Sequence, residues 1–190
     1  MDIPSRRLAV YVTCAVWAGV DLAVIIVRGR KSDASADRGS LGLILIAIVV
    51  AVVIGNVTAR LGALRLPGTG VEQGLVGIPF MWVGMALRWW AMLTLGRFFN
   101  PLVTIRHDHR VIRSGPYARI RHPAYAGSLI TLVGLGVALG SWAGLIGMVL
   151  VLFLGFWLRM SREEEALTAA LGQEYRDYMA QTKRLIPGIY

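Results

Sequence analysis

Chemically capable residues cluster around one short segment in the second half of the chain. Residues 119–127 read RIRHPAYAG, and Pro123 in that segment suits the first position of a helix. The free amides of such a helix start can face an anion or a polar cofactor, with His122 and Tyr125 beside them. Aromatic and basic side chains also anchor many membrane spans at the interface, so the same pattern is consistent with a purely structural role.

Two more groups of ionisable residues stand close to apolar stretches. Arg88 lies inside one such stretch, where a charged side chain is costly enough to be a candidate functional residue. Asp21, inside the first stretch, is either a partner for Arg88 or a neutral acid within the helix bundle. Glu163 and Glu164 follow the last stretch, and acids at that point also suit a solvated helical turn.

The composition indicates an integral membrane protein. Of the 190 residues, 56% are hydrophobic and 16% are charged, whereas soluble domains carry about 25% charged residues. Five apolar stretches have the roughly 20 residues that a bilayer core requires. They are residues 8–27, 41–59, 74–95, 123–140 and 142–160. The predicted fold is therefore an all-α integral membrane protein of about five transmembrane helices, the last two forming a tight antiparallel hairpin.

A cytoplasmic amphipathic helix is predicted after the last span, over residues 161–183. Its apolar side chains recur at helical spacing, and Ser161 suits the N-cap position. Pro187 follows the predicted helix. These apolar positions are Leu167, Leu171, Tyr175 and Tyr178.

The charge pattern predicts orientation rather than nucleic-acid binding. The net charge is +9, but the basic residues are spread between the apolar stretches and so suit contact with anionic lipid headgroups. Most of them fall on the side that carries the C-terminus, which predicts an outer N-terminus and a cytoplasmic C-terminus. Cys14 is the chain's single cysteine, and His107 and His109 lack further ligands nearby. We therefore expect no metal site.

Taken together, these residues resemble the isoprenylcysteine carboxyl methyltransferase family and its relatives among the phospholipid methyltransferases. The similarity extends over roughly residues 84–190, and five spans are similar to the small prokaryotic members. The runs that carry the resemblance are LRWWAM at 87–92, LGRFF at 95–99, HRVIRSGPY at 109–117, RHPAYAG at 121–127, Arg159, Glu163 and Glu164, Leu167, Gly172, Glu174 and Tyr175, Tyr178 and RLIP at 184–187.

The resemblance implies an enzyme that transfers a methyl group from S-adenosyl-L-methionine and releases S-adenosylhomocysteine. The apolar stretches predict two N-terminal transmembrane helices over residues 1–73, and the resemblance implies a cofactor-binding catalytic core over residues 74–190. The cofactor is expected between the membrane and the C-terminal helix, with Glu164 favoured over Glu163 for its polar parts. The residues expected to bind it are His109, Val111, Ile112, Gly115, Tyr117, His122, Pro123, Tyr125, Glu163 and Glu164.

The acceptor is expected to be a lipid, or a lipidated small molecule or protein. A carboxylate is already ionised at neutral pH and needs no base, whereas an amine must first lose a proton. Arg88 and Arg159 suit a carboxylate, which favours O-methylation of a prenylcysteine-like group. The sequence leaves open a phospholipid amine N-methyltransferase, a non-enzymatic membrane transporter or assembly protein, and a nicotinamide-dependent reductase. A prokaryotic protein would reside in the cytoplasmic membrane, and a eukaryotic one in the endoplasmic reticulum.

Overall fold

The structure is a bundle of helices. A computed structural model describes residues 3–29, 40–62, 64–100 and 110–190, and this part of the chain contains no named β-strand. Two short 3₁₀ turns, Gly96–Phe98 and Gly115–Ala118, precede α4. The α-helices are α1 (Ile3–Gly29), α2 (Ser40–Leu61), α3 (Gly70–Leu95), α4 (Pro123–Leu139), α5 (Trp142–Leu171) and α6 (Gln173–Gln181).

The helices confirm the predicted membrane architecture. Within the described residues, α1, α2, α3 and α5 are long and apolar enough to cross a bilayer. The fourth predicted span is the 17-residue α4, which is apolar but shorter than the others. Helices α2 and α5 carry large exposed apolar side chains, such as Val49 and Leu150. Such exposure is expected where lipid replaces water as the surrounding solvent.

Close packing of α3 against α4 depends on glycines that face each other. A Cβ at Gly127 would lie 2.6 Å from the carbonyl oxygen of Gly84 and 2.7 Å from the amide of Arg88. Gly77 and Gly134 meet in the same way further along the two helices. Small residues at these positions let the backbones approach closely, and this contact sets Arg88 directly against the start of α4.

The first two helices pack on different neighbours. Helix α1 contacts α3, whereas α2 contacts α5. A Cβ added at Gly144 of α5 would lie 2.6 Å from the hydroxyl of Thr58 and 3.3 Å from Cα of Gly55, both on α2. Both N-terminal helices therefore pack directly on helices of the predicted core, and the division at residue 73 stays a prediction.

The C-terminal helix differs from its predicted boundaries. Ser161 is not an N-cap, because α5 continues through it without a break and its hydroxyl donates to the carbonyl of Trp157. The break falls at Gly172, whose φ of 59° lies in the region that favours glycine. The short α6 follows and ends at Gln181, before Pro187. The predicted amphipathic pattern therefore continues across two helices rather than one.

The hairpin between α4 and α5 is as tight as its sequence predicts. Gly140 ends α4 in the left-handed conformation, with φ 77° and ψ 29°. The next residue, Ser141, caps α5 by accepting a hydrogen bond from the amide of Gly144 at 3.1 Å. Two residues therefore suffice to reverse the chain, and the two helices run antiparallel.

Candidate functional site

The buried carboxylate of Glu164 joins three parts of the chain. One oxygen, Oε1, accepts a hydrogen bond from Nε of Arg121 at 2.8 Å and lies 3.1 Å from Nε2 of His122. The other oxygen, Oε2, accepts from Nε and an Nη nitrogen of Arg184 at 3.0 and 2.7 Å. The side chain of Glu164 is only 4% exposed, so these partners supply the compensation that a buried charge requires.

The C-terminal segment is tied to the loop before α4 by backbone and side-chain hydrogen bonds. The amides of Arg121 and His122 donate to the carbonyls of Lys183 and Arg184, at 2.7 and 3.0 Å. Arg121 also donates from Nη1 to the carbonyls of Met179 and Thr182. These contacts place α6 over the entrance of α4.

Tyr178 of α6 fastens the same region. Its hydroxyl donates to the carbonyl of Tyr117 at 2.8 Å. Burial raises the pKa of Tyr178 to about 12, so the phenol keeps the proton that this hydrogen bond needs well into the alkaline range. The sequence predicted that Tyr175 and Tyr178 pack the C-terminal helix, and both side chains are buried.

A second network crosses from α5 to α4. Arg159 donates from Nε to the hydroxyl of Tyr125 at 2.8 Å, and this hydroxyl donates to Oε2 of Glu163 at 2.9 Å. The ring of Tyr125 also packs on Phe156, with centroids 4.7 Å apart. The cation and the carboxylate are thus held on either side of one phenol.

Arg88 reaches the same region from α3. Its Nε donates to Oδ1 of Asp21 at 3.0 Å, and its Nη1 lies 3.3 Å from the carbonyl oxygen of Ala124 and 3.2 Å from the hydroxyl of Ser128. Ala124 and Tyr125 are neighbours in α4, so the first turn of α4 brings the groups around Arg88 and Arg159 together. The sequence offered two roles for Asp21, and the observed contact agrees with the first, that of a partner for Arg88.

These groups line one large cavity of about 490 Å³. Its lining includes apolar side chains of α1, α2 and α5, and it also includes charged, polar and aromatic side chains of α6 and of the segment before α4. Arg88, Tyr125 and Arg159 line the cavity as well. Examples of the apolar lining are Trp17, Ile44, Ile48 and Leu152, and examples of the polar and aromatic lining are Asn100, Arg110, Arg121, Tyr175 and Tyr178.

Most of the site residues predicted from the sequence meet at this cavity. His109 lies outside the residues that the structure describes, as do His107 and Asp108. Gly115, Pro123 and Glu164 are near the cavity in the fold but do not line it. The predicted residues that do line it are Arg88, Val111, Ile112, Tyr117, His122, Tyr125, Arg159 and Glu163.

The two acids after the last span therefore occupy different places. Glu163 lines the cavity, while the oxygens of Glu164 accept hydrogen bonds from Arg121 and Arg184. Sequence reasoning assigned no role to either arginine. Both stand in the runs that carry the family resemblance, so the sequence could have marked them as candidates. It could not show that the two arginines converge on one carboxylate.

Comparison with known proteins supplies the decisive observation. Residues 76–169 match the isoprenylcysteine carboxyl methyltransferase (ICMT) family. This part of the chain belongs to the ICMT family. It contains Arg88, the RHPAYAG segment, Arg159 and both glutamates.

The similar proteins include eukaryotic proteins named as protein-S-isoprenylcysteine O-methyltransferases or as probable ones. A probable protein-S-isoprenylcysteine O-methyltransferase from Oryza sativa is 34% identical over 116 residues, which is 60% of this chain and 61% of that protein. The protein-S-isoprenylcysteine O-methyltransferase of Schizosaccharomyces pombe is 33% identical over 110 residues, covering 57% of this chain and 47% of the relative. The chain thus spans less than two thirds of the length of these relatives.

A solved structure shares the ICMT fold with this chain. The eukaryotic intramembrane Ras methyltransferase ICMT superposes with a TM-score of 0.61 at 28% sequence identity. The similarity covers 76% of this chain and 52% of the other. It therefore extends beyond the segment of residues 76–169 that matches the family.

Proposed function

We propose that this protein is an integral membrane methyltransferase that transfers a methyl group from S-adenosyl-L-methionine to the carboxylate of a lipidated acceptor. The observation that carries the proposal is the cavity, whose lining combines apolar side chains of the bundle with charged and aromatic side chains of α6 and of the segment before α4. A lipid chain and a polar methyl donor need these two environments, and they must meet where the reaction occurs. Arg88, Tyr125 and Arg159 line the cavity and converge on the start of α4.

The polar part of the cavity fits the methyl donor. Aromatic side chains such as Tyr175 and Tyr178 offer surfaces for a planar ring, while Glu163 and Arg110 offer groups for a polar amino-acid portion. When bound, S-adenosylmethionine supplies a methyl group on a positively charged sulfur. We assign the binding of this donor to the cavity-lining residues that the sequence predicted for it: Val111, Ile112, Tyr117, His122, Tyr125 and Glu163.

The acceptor chemistry needs little more than positioning. A carboxylate oxygen attacks the methyl carbon, the carbon–sulfur bond breaks, and its electron pair remains on sulfur. The products are a methyl ester and S-adenosylhomocysteine, and no proton is released. Because opposite charges disappear together, a cavity that excludes water favours the step, provided that the reacting atoms are aligned. Arg88 and Arg159 are the groups that we assign to aligning the carboxylate.

An amine lipid is the second candidate acceptor. Its specific support is that Asp21 and Glu163, two carboxylates, also line the cavity and suit an ammonium group. An amine must lose a proton before it attacks, so one of these carboxylates would have to accept it.

The polar part of the cavity is proposed to face the cytoplasm. The end of the bundle that carries α6 holds Arg113, Arg121, Lys183 and Arg184, and a cluster of basic residues favours the cytoplasmic side. This orientation also gives a water-soluble donor direct access to the region beneath α6.

Two measurements test the proposed function. Calorimetric titration of the detergent-solubilised protein with S-adenosylhomocysteine should show binding to one site. In membranes, radiolabelled methyl groups should transfer to N-acetyl-S-farnesylcysteine as a label that mild base releases, as expected of an ester. A folded protein that binds no S-adenosylhomocysteine would favour a non-enzymatic role, and base-stable label on lipid would favour the amine acceptor.

A further inference from the structure

Helix α1 contributes a charged residue to the cavity from outside the segment that matches the ICMT family. Asp21 lies 67 residues before Arg88, and its Oδ1 accepts a hydrogen bond from Nε of Arg88 at 3.0 Å. The two side chains are 19% and 15% exposed, respectively. Trp17 stands one helical turn earlier and also lines the cavity. One face of α1 therefore forms part of the cavity wall.

The contacts around Arg88 hold its guanidinium in a defined orientation. Asp21 occupies Nε, whereas the carbonyl of Ala124 and the hydroxyl of Ser128 occupy Nη1. Among the residues that the structure describes, none accepts a hydrogen bond from Nη2. Since Arg88 lines the cavity, the guanidinium keeps one nitrogen with two N–H donors for a molecule bound there.

The charge of Arg88 would work against methyl transfer if it were not balanced. A full positive charge beside a carboxylate stabilises the anion before reaction more than in the transition state, where part of the negative charge has already passed to the new bond. Such ground-state stabilisation tightens binding but slows the chemical step. A carboxylate on the other side of the guanidinium reduces this effect, because it offsets the positive charge that the acceptor experiences.

We propose that Asp21 is a positioning residue for carboxylate methylation: it orients Arg88 so that Nη2 binds the acceptor carboxylate, and it moderates the charge of the guanidinium. The inference rests on the proposed function and specifies how the acceptor is recognised. It also assigns to α1 a part in the reaction that the family match over residues 76–169 does not include.

Kinetics of Asp21→Asn test the proposal. Asparagine keeps an oxygen for Nε of Arg88 but removes the negative charge. With N-acetyl-S-farnesylcysteine as acceptor, KM should fall and kcat should fall, each by roughly three- to tenfold, the typical difference between a hydrogen bond to a charged group and one to a neutral group. Asp21→Ala loses the orientation as well, so its kcat should fall without the decrease in KM. Asp21→Glu should restore both constants towards the wild-type values.

The control is Asp177→Asn, which makes the same chemical change at an exposed residue of α6 whose Oδ1 accepts from Gln173. Its constants should equal those of the wild type. Unchanged KM and kcat in Asp21→Asn would overturn the proposal, and a raised KM would do so in favour of an amine acceptor. If Asp21→Asn does not fold, Asp21→Ala and Ser128→Ala replace it: kcat unaffected in both would also overturn the proposal. Wild-type protein that does not methylate the probe at all refutes the proposed function instead.

Discussion

Glu164 and His122 lie 3.1 Å apart, from Oε1 to Nε2, although 42 residues separate them in the sequence. The contact joins the C-terminal part of α5 to the entrance of α4, and Arg121 and Arg184 bind the same carboxylate. The loop before α4, the entrance of α4 and the C-terminal segment therefore close together at one end of the bundle. The proposed S-adenosylmethionine site at this end of the bundle depends on this arrangement.

Replacing Glu164 with glutamine should destabilise the protein and weaken its binding of S-adenosylhomocysteine. The amide cannot balance Arg121 and Arg184 in a buried setting, and breaking a buried ion pair costs about 3–5 kcal/mol. Thermal unfolding in detergent should show a lower Tm, and calorimetry a lower affinity. Glu165→Gln, which changes an exposed neighbour, should leave both unchanged. An unaltered Tm would show that the carboxylate does not hold this end together.

Replacing Arg88 with alanine should abolish methyl transfer while cofactor binding stays nearly intact. Arg88 contacts Asp21 and Ser128 rather than the polar lining beneath α6, so its loss should affect the acceptor and not the donor. Turnover is measured with labelled methyl groups, and binding by titration with S-adenosylhomocysteine. Wild-type turnover in this variant would remove the assigned role, and loss of binding would place Arg88 at the cofactor instead.

Replacing Tyr125 with phenylalanine should slow turnover by roughly tenfold, the effect expected when hydrogen bonds to charged groups are lost. The change removes only the hydroxyl that connects Arg159 and Glu163. The ring and its packing on Phe156 remain, so the Tm should change little. Ser161→Ala is the control, because it removes a hydroxyl that does not line the cavity and that, among the described residues, donates only to the carbonyl of Trp157. Equal kcat values for the two variants would contradict a role for the phenol in aligning its neighbours.

Replacing Gly127 with alanine should destabilise the bundle by about 1–3 kcal/mol, the usual effect of an overpacked contact. The added methyl group would lie 2.6 Å from the carbonyl oxygen of Gly84, so α3 and α4 would have to separate. Gly19→Ala is the matched control, because nothing lies within 4 Å of a Cβ at that helical position. Denaturant unfolding should show lower stability for the first variant and equal or slightly higher stability for the second. Equal effects would mean that the close approach is not required.

Local patterns allowed much of the fold to be predicted. A run of apolar residues forms a helix in a bilayer wherever it occurs, since each helix satisfies its own backbone hydrogen bonds. The spans and the hairpin at Gly140 and Ser141 therefore followed from nearby residues alone. The boundary between α5 and α6 did not, because Ser161 has the residue type of an N-cap but no break in the helix to cap.

The sequence by itself determined the membrane class, the approximate helices and the set of residues able to carry the chemistry. Only the tertiary structure decided which of them face one another. Glu163 and Glu164 are adjacent, yet successive helical residues point about 100° apart, so one lines the cavity and the other binds arginines. The pairing of Asp21 with Arg88 likewise depends on how α1 packs against α3, and no local pattern encodes a contact between residues so distant in the chain.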